Sequence, residues 1–599
     1  MTQEDDVFAA IKAHTTARIN GEVDAVIDSH SEDWEDNKGY RKKNLKDGHL
    51  AFTTGALKTD ISVDLSQTEI SITDDRAVCG PVVVSTQEGE LSYRYTLKKE
   101  TDGVWRLVYT QTLAWKPASL DALSSERQEQ AESLARTVRQ HRETLLKDPL
   151  RPAYHFVIPE GVAFPFDPNG AIFWKGRYHL FYIFQDRRSG EQSDHWGHVS
   201  STDLFHWRHH PTGLLEGMYS GNCFINGDGI PTICYHQVDQ GNALAVALDD
   251  NLDEWHKLAT NPITPKTQKG DEHHGKYRSW DPFGWYDGDT YYAIFGGERP
   301  AVAKSEHLEG EWHYVGDLFA HGLADVSLAE DVSCAELFKL GDRDLLLCIS
   351  HRLGCRYYVG EWKNEQFYPE SHSLMSWGDN GFFAPESLQD EAGRRIMWAW
   401  LLDSEKFHAP PESTWSGTLS LPRVLSMHNG TMQMDVPKEI EALRYRPWQT
   451  RNLDVKPGND LVVAGVTGNC LELDIQINTG DASACGVKVC QSPDGREETV
   501  IVFDVHNSLL TVNTQKSGPL GTPKNTASAP FSLEAHELLR LRVFVDKSVV
   551  EVFANNRQVV TRRIYPSLPE SVGISLFCTA EPCQITTFSS WQLSPANPY

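Results

Sequence analysis

Turn glycines between apolar, strand-like runs recur regularly in the middle of the chain. They are separated by 53, 59, 53 and 52 residues and comprise Gly176, Gly229, Gly288, Gly341 and Gly393. A period near 50 with several short strands in each unit is typical of the blades of a β-propeller. The pattern therefore predicts a mainly β chain with a five-bladed propeller over residues 150–435.

Alternating strand patterns continue to the C-terminus, over residues 436–599. The clearest lies at 541–555, where two apolar runs flank a turn at Asp546–Ser548. Residues 1–116 begin with an amphipathic helical segment (Val7, Ile11, His14) and continue as strand-like runs, which predicts a small α+β domain. Residues 119–147 lack Gly and Pro and predict a long helix within a connector at 117–149.

The composition of the chain limits the classes of function that it can have. The chain has 599 residues, enough for several domains, and a formal charge of −27 that disfavours nucleic acid and fits a neutral substrate such as a sugar. We find no apolar run long enough to span a membrane. Its 11 Cys have no Cys-x-x-Cys spacing, and the first residues lack the features of a signal peptide. We therefore expect reduced thiols, a cytoplasmic location and no metal or other cofactor.

Two aspartates occupy equivalent places in the repeat. Asp167 lies nine residues before Gly176, and Asp281 lies seven before Gly288. The inner strands of propeller blades start near a central funnel, so both side chains are expected to reach one pocket. Asp167 belongs to Asp-Pro-Asn-Gly, which predicts a turn ahead of the strands; a purely structural Asx-turn is the alternative. Paired carboxyl groups are what glycoside hydrolysis requires.

The segment 164–185 around Asp167 resembles the nucleophile motif of glycoside hydrolase family 32, the invertase and fructanase family. The likeness extends over residues 150–599 and implies a five-bladed propeller followed by a β-sandwich at 436–599. It implies that Asp167 attacks the anomeric carbon of a fructofuranoside. Asp281-Pro282 matches the family's Arg-Asp-Pro, which implies that Asp281 stabilises the transition state; Trp280 replaces the Arg and is expected to stack on a sugar.

The acid/base is where the chain departs from this family. The family's Glu-Cys-Pro-Asp corresponds to Ser333 through Glu336, so Ser333 stands at the acid's position and cannot act as a general acid at neutral pH. We predict that Glu330 takes over as acid/base. Glu336, Asp331, or no acid at all are the alternatives.

Further likeness to the family suggests residues that bind substrate; core packing is the alternative for each. They are Asn169, Gln185, Trp196 and Ser220, in addition to Trp280. The N-terminal pattern resembles a SnoaL-like cone, and packing, accessory binding or homodimer formation is expected of it.

The sequence therefore predicts a retaining hydrolase that releases fructose from β-fructofuranosides. The alternatives are fructosyl transfer, action on another furanoside such as an arabinofuranoside, and a non-catalytic sugar-binding protein.

Overall fold

The structure is a computed structural model that divides the chain into two compact units, Met1–Arg142 and Glu143–Tyr599. It describes residues 2–43, 45, 61–86, 89–117, 129–130, 132–137, 148–158, 165–186, 193–215, 218–379, 381–402, 415–524 and 526–597. The four predicted domain boundaries stay predictions. Within the described residues, no helix is long and apolar enough to cross a membrane.

The described part of the first unit begins with two helices, which are followed by one sheet. The elements are α1 Gln3–Asn20, α2 Val23–Asp28, β1 His30–Asp36, β2 Ser62–Asp64, β3 Glu69–Thr73, β4 Arg76–Thr86, β5 Gly89–Lys99 and β6 Trp105–Pro117. The sheet order is β1-β6-β5-β4-β2, with β3 on β4 and β1 parallel to β6. Val7 and Ile11 of α1 pack with Trp34 and Tyr95, as the amphipathic pattern predicts. The resemblance to a SnoaL-like cone stays a prediction.

The predicted connector helix is described only in part. Residues 129–130 and 132–137 are helical, and the remainder of 119–147 lies outside the described residues. Leu134, an apolar residue of this helical segment, is 66% exposed.

The second unit begins with strands that form five sheets. The strands are β7 Pro165–Trp174, β8 Arg177–Asp186, β9 Ser193–Ser201, β10 Trp207–His209, β11 Met218–Ile225, β12 Pro231–Gln237, β13 Gly241–Ala247, β14 Trp255–Lys257, β15 Thr264–Pro265, β16 Phe283–Tyr286, β17 Tyr291–Phe295, β18 Gly297–Glu298, β19 Ala301–Ser305, β20 His313–Asp317, β21 Asp331–Leu340, β22 Arg343–Ser350, β23 Gly354–Lys363, β24 Gln366–Leu374, β25 Phe382–Gln389, β26 Arg395–Leu401, β27 Arg423–His428 and β28 Thr431–Asp435. All strand pairs within these sheets are antiparallel; the sheets comprise β7–β10, β11–β14 with β15 on β13, β16 with β17, β19 and β20, β18 with β21–β24, and β25–β28.

The turn glycines predicted from the repeat separate the first long strand of each sheet from the second. All five have positive φ, between 67° and 108°, which glycine adopts without strain. The first strands contact one another in a closed ring: β7 with β11, β11 with β16, β16 with β21, β21 with β25, and β25 with β7. The predicted propeller is confirmed; its blade number stays a prediction, which this ring supports.

The remaining strands form the predicted β-sandwich. A 3₁₀ helix, Lys438–Leu443, leads into β29 Arg444–Val455, β30 Leu461–Thr467, β31 Cys470–Asn478, β32 Ala484–Gln491, β33 Glu498–Asp504, β34 Leu509–Lys516, β35 Ala527–Pro530, β36 Leu539–Asp546, β37 Val549–Ala554, β38 Gln558–Arg563, β39 Gly573–Thr579 and β40 Cys583–Leu593. Two six-stranded sheets, β29-β40-β31-β36-β37-β38 and β30-β39-β32-β33-β34-β35, enclose one apolar core. The hairpin predicted at 541–555 is β36–β37.

A buried charged network joins the sandwich to the propeller. Asp546 accepts hydrogen bonds from the backbone of residues 153–155 and from His155 Nδ1 at 3.0 Å. Glu551 contacts the other ring nitrogen of His155 at 3.2 Å and accepts from Arg423. All four residues are buried, so each charge depends on its partners for stabilisation.

Candidate active site

A cavity of about 320 Å³ lies where the first strands of the propeller sheets meet. This volume is at the lower end of the range of small-molecule sites, about 300–1,000 Å³. The described residues that line it are Phe166, Asp167, Gln185, Tyr219, Trp280, Asp281, Ser333, Cys334, Ile349, His351, Phe383, Trp400 and Leu402. It therefore brings Asp167 and Asp281 together, as their places in the repeat predict.

Asp167 lies within β7, so the predicted turn at Asp-Pro-Asn-Gly is wrong. The pairing of β7 with β8 shifts register between Phe166 and Pro168 and again between Asn169 and Ile172. Bulges bend a strand and change the direction of its side chains, and they are common beside active sites. The same kind of irregularity occurs in β11, β21 and β25. The segment therefore continues the strand while its bulges carry Asp167 to the cavity.

Asp167 is a buried carboxyl group that is only partly hydrogen-bonded. Ser220 Oγ donates to its Oδ2 at 3.4 Å, and Oδ1 has no hydrogen-bond partner among the described residues. Burial, and next the negative charge of Asp281, raise the pKa of Asp167 to about 7. Such a shift concentrates at functional sites, where an oxygen without a protein partner can meet a substrate.

Asp281 is held in an unusual backbone conformation directly before β16. Its φ is +26°, and a side-chain carbon on Gly296 would lie 2.7 Å from its carbonyl oxygen. The backbone N–H of Cys334 donates to Asp281 Oδ2 at 3.3 Å, whereas Oδ1 has no partner in the described part of the chain. Burial raises the pKa of Asp281 to about 6. Backbone strain of this kind is stored where function requires a fixed geometry.

Glu330, the predicted acid/base, is not among the described residues that line the cavity. It precedes β21, is buried, and accepts a hydrogen bond from Ser350 Oγ at 2.7 Å. Glu336, its first alternative, is buried against Ser387 and Glu386, also outside the lining. Burial raises the pKa of both Glu336 and Glu386. Neither candidate is brought to the cavity.

A histidine that the sequence interpretation missed is brought there instead. His351 lines the cavity, its side chain is 60% exposed, and its Nδ1 lies 2.6 Å from Asp331 Oδ2. Asp331 also accepts from the backbone N–H of His351 at 2.9 Å and from Ser333 Oγ at 2.8 Å. Burial opposes ionisation of Asp331, but these hydrogen bonds lower its pKa below the ordinary value.

Four of the five predicted substrate ligands line the cavity or lie beside Asp167. Gln185 and Trp280 line the cavity, and one face of Trp280 is covered by Arg278, whose guanidinium lies 4.2 Å from the ring centre. Asn169 and Ser220 are buried beside Asp167: Asn169 Nδ2 donates to the Asp167 carbonyl at 3.1 Å. Their roles toward a sugar stay predictions.

Trp196, which is predicted to bind substrate, does not reach the cavity. It is fully buried, outside the lining, and its indole N–H donates to the carbonyl of Tyr219 at 2.8 Å. Its strand, β9, lies two strands away from the ring of first strands, so its side chain packs in the core with Phe181. Trp196 therefore supports the cavity wall from behind.

Aromatic side chains form a continuous wall that the sequence interpretation did not assign. Tyr219 contacts Trp280 and Phe166, and Trp400 contacts Phe166 and Phe383, with ring centroids 5.2–6.0 Å apart. Aromatic faces favour the apolar faces of sugars. Hairpin symmetry is a signal that could have indicated further lining residues, because the predicted ligand Gln185 lies nine residues after Gly176, as Asp167 lies nine before it.

One group of potential metal ligands forms outside the cavity lining, although the sequence showed no ligand spacing. His198 and His210 face each other across β9 and the end of β10, and Asp253 joins them from the turn before β14. His210 Nδ1 lies 2.6 Å from Asp253 Oδ1, the distance of a direct hydrogen bond. The group therefore has a structural explanation within the propeller.

The fold and the cavity together define a glycosidase: a propeller funnel with two buried carboxyl groups and an aromatic wall. Comparison with known proteins agrees. Residues 155–436 match the glycosyl hydrolases family 32 N-terminal domain, and residues 439–592 match the family's C-terminal domain. The chain belongs to glycosyl hydrolase family 32.

Relatives and solved structures extend this result. A levanase of Bacillus subtilis (strain 168) is 28% identical over 474 residues, covering 71% of this chain and 68% of the relative. A sucrose-6-phosphate hydrolase of Klebsiella pneumoniae is 27% identical over 505 residues, covering 77% and 97%. The crystal structure of fructan 1-exohydrolase IIa from Cichorium intybus has the same fold, with a TM-score of 0.65 and 22% identity over 75% of this chain and 98% of that one.

Proposed function

We propose that this protein removes terminal fructose from neutral β-fructofuranosides by a double displacement through a covalent fructosyl-enzyme. The observation that carries the proposal is the pair Asp167 and Asp281 in one cavity, each with a carboxylate oxygen that no described residue satisfies. Membership of family 32 and the levanase and sucrose-6-phosphate hydrolase relatives support the substrate class.

In the first step, Asp167 attacks the anomeric carbon while the leaving oxygen departs. In the second step, water attacks the same carbon and releases Asp167, so the anomeric configuration is retained. Asp281 holds fructose hydroxyl groups through Oδ1, an interaction that strengthens as positive charge develops on the sugar. Because Asp167 must be ionised to attack, turnover should fall as the pH drops through about 7.

The lining supports a small, uncharged substrate. Among its described residues there is no Lys or Arg, and His351 is the one basic side chain. A sugar phosphate would place about two negative charges near two carboxylates, and no Lys or Arg among the described lining residues offsets that cost in free energy. The volume of about 320 Å³ suits one terminal sugar unit, which supports exo-action on sucrose, inulin or levan.

We also propose a reducing compartment such as the cytoplasm for the protein. All eleven cysteines are free thiols, and nine of them are buried.

Product analysis tests the function. The purified protein is incubated with sucrose, inulin, levan and an aryl arabinofuranoside, and the released sugars are separated by chromatography. We expect free fructose from the fructosides, and methyl β-fructofuranoside when methanol is added to trap the intermediate with retention. Accumulation of longer fructosides would indicate transfer, and release of arabinose alone would indicate another furanosidase. Sugar binding without any product would overturn the enzymatic proposal.

A further inference from the structure

The cavity lacks a carboxyl group at the place where the family carries its acid, because Ser333 stands there. A natural fructoside leaves as an alkoxide, which needs a proton in the transition state. Ser333 cannot supply one at neutral pH, and its hydroxyl already donates to Asp331. Glu330 is hydrogen-bonded to Ser350 and is not part of the described lining. Another group must therefore exchange this proton.

The described lining offers few candidates. Asp167 and Asp281 are committed to attack and to holding the sugar. Burial raises the pKa of the Cys334 thiol and of the Tyr219 hydroxyl well above neutrality, so both stay protonated and are poor proton donors. His351 is the remaining lining side chain that exchanges protons near neutral pH.

Strand register explains how His351 comes to the cavity. In the β21–β22 hairpin Ser333 pairs with Ile349, so the residues two further out, Asp331 and His351, face each other across the same two strands. Asp331 receives both the backbone N–H and the Nδ1–H of His351. Ser333 Oγ holds the other oxygen of Asp331. The proton on Nδ1 is thereby fixed, and proton exchange is left to Nε2.

We propose that His351, positioned by Asp331, is the general acid and base of this enzyme in place of the missing carboxyl group. This inference rests on the proposed function. As the bond between the anomeric carbon and the leaving oxygen breaks and a bond to Asp167 forms, the proton on His351 Nε2 passes to the leaving oxygen. When water then displaces Asp167 from the anomeric carbon, His351 Nε2 takes the proton of that water. The enzyme is restored, and Asp331 keeps its negative charge throughout.

The electrostatics of the cavity fit both steps. The hydrogen bond to Asp331 is the largest influence on His351 and raises its pKa above 6.5; the charges of Asp281 and Asp167 raise it further. These contacts therefore favour the imidazolium form of His351, which can act as an acid. Phe383 packs against the ring edge-on, with centroids 5.6 Å apart, and adds no charge.

Leaving-group dependence tests the acid role. His351→Ala should lower kcat/KM for sucrose about 10²- to 10⁴-fold, the usual worth of a general acid. An aryl β-fructofuranoside, whose leaving group needs no proton, should lose less than about tenfold. Added azide should raise the turnover of the aryl fructoside by His351→Ala and yield fructosyl azide, because azide can attack the intermediate without a base. The matched control is His372→Ala, which removes another histidine paired with an aspartate in the same sheet, at 3.0 Å from Asp325 and outside the lining. It should leave kcat/KM within about threefold.

The pH profile tests the positioning role of Asp331. Asp331→Asn removes the charge that holds the pKa of His351 up, so the high-pH limb of kcat/KM for sucrose should move to lower pH. A purely structural role would lower activity without moving that limb.

If His351→Ala unfolds, His351→Gln, which keeps much of the side-chain volume, is measured in its place.

The outcomes separate this inference from the proposed function. If the unmodified enzyme releases no fructose from any fructoside, the proposed function fails. Suppose instead that the unmodified enzyme releases fructose, but the His351 variant loses kcat/KM equally for sucrose and for the aryl fructoside and gains nothing from azide. If Asp331→Asn also leaves the high-pH limb of kcat/KM where it was, the histidine is not the acid/base.

Discussion

Replacing Asp167 with Asn separates the energetic cost of burying this carboxylate from its use in catalysis. Burial, followed by the charge of Asp281, raises its pKa from 3.8 to about 7. A pKa unit corresponds to about 1.4 kcal/mol, so the ionised carboxylate destabilises the fold by up to about 4 kcal/mol at high pH. Asn has nearly the same shape and carries no charge.

The pH dependence of this effect has a definite sign. Below pH 4 the carboxyl is protonated in the folded and the unfolded chain, so Asp167→Asn should leave stability unchanged. Between about pH 4 and 7 the Asp167 carboxyl is ionised in the unfolded chain but still protonated in the folded chain, so the loss of folding stability grows with pH. Above pH 7 the carboxyl is ionised in both states, and this loss is constant. At pH 8 we therefore expect the variant to gain about 1–4 kcal/mol, or roughly 1–4 °C in Tm. Its kcat should fall by about 10³ or more, because no nucleophile remains.

The measurements are thermal unfolding at pH 4 and pH 8 and fructose release from sucrose. Asp390→Asn is the matched control: Asp390 is also buried in the propeller, but it accepts from Arg394 Nε at 2.8 Å and lies outside the cavity lining. That variant should lose about 1–3 kcal/mol of stability and keep kcat within about threefold. Destabilisation of Asp167→Asn at pH 8, or activity within tenfold of the unmodified enzyme, would refute the reasoning.

Four further predictions follow from the same structure. Asp281→Asn should lower kcat by about 10² or more with Tm at pH 8 unchanged or raised, since burial raises its pKa to about 6; a loss confined to KM contradicts its role in the transition state. Asp546→Asn should cost about 3–5 kcal/mol of unfolding free energy, measured by denaturant titration, because it removes one of the two buried carboxylates that pair with His155. Ser333→Glu introduced into His351→Ala should restore part of the sucrose hydrolysis, as the new carboxyl can donate the proton; no gain over the single variant argues against proton transfer at this place. A chain beginning at residue 148 should hydrolyse sucrose like the full chain, since the described lining lies within Phe166–Leu402; loss of fructose binding would show that the first unit contributes to the site.

The site could be anticipated from the sequence where it depends on the repeat. The turn glycines mark the same hairpin in each sheet, and counting back from Gly176 and Gly288 places Asp167 and Asp281 at the same end of two first strands of the ring, β7 and β16. That inference needs only strand length and blade order, which local patterns encode. The likeness of residues 150–599 to family 32 led to the same two carboxyl groups.

The identity of the proton donor depended on contacts that the linear sequence does not display. A strand side chain changes face with each residue, and the bulges in β7, β21 and β25 shift that alternation. Glu330 is therefore directed to Ser350, while His351, in the turn directly after β22, reaches the cavity with Asp331 behind it. Trp196 is buried for a similar reason, since its strand is the third of its sheet. The sequence determined the fold class and the two aspartates through local periodicity, and the tertiary structure decided the rest because strand register and bulges set which side chains meet.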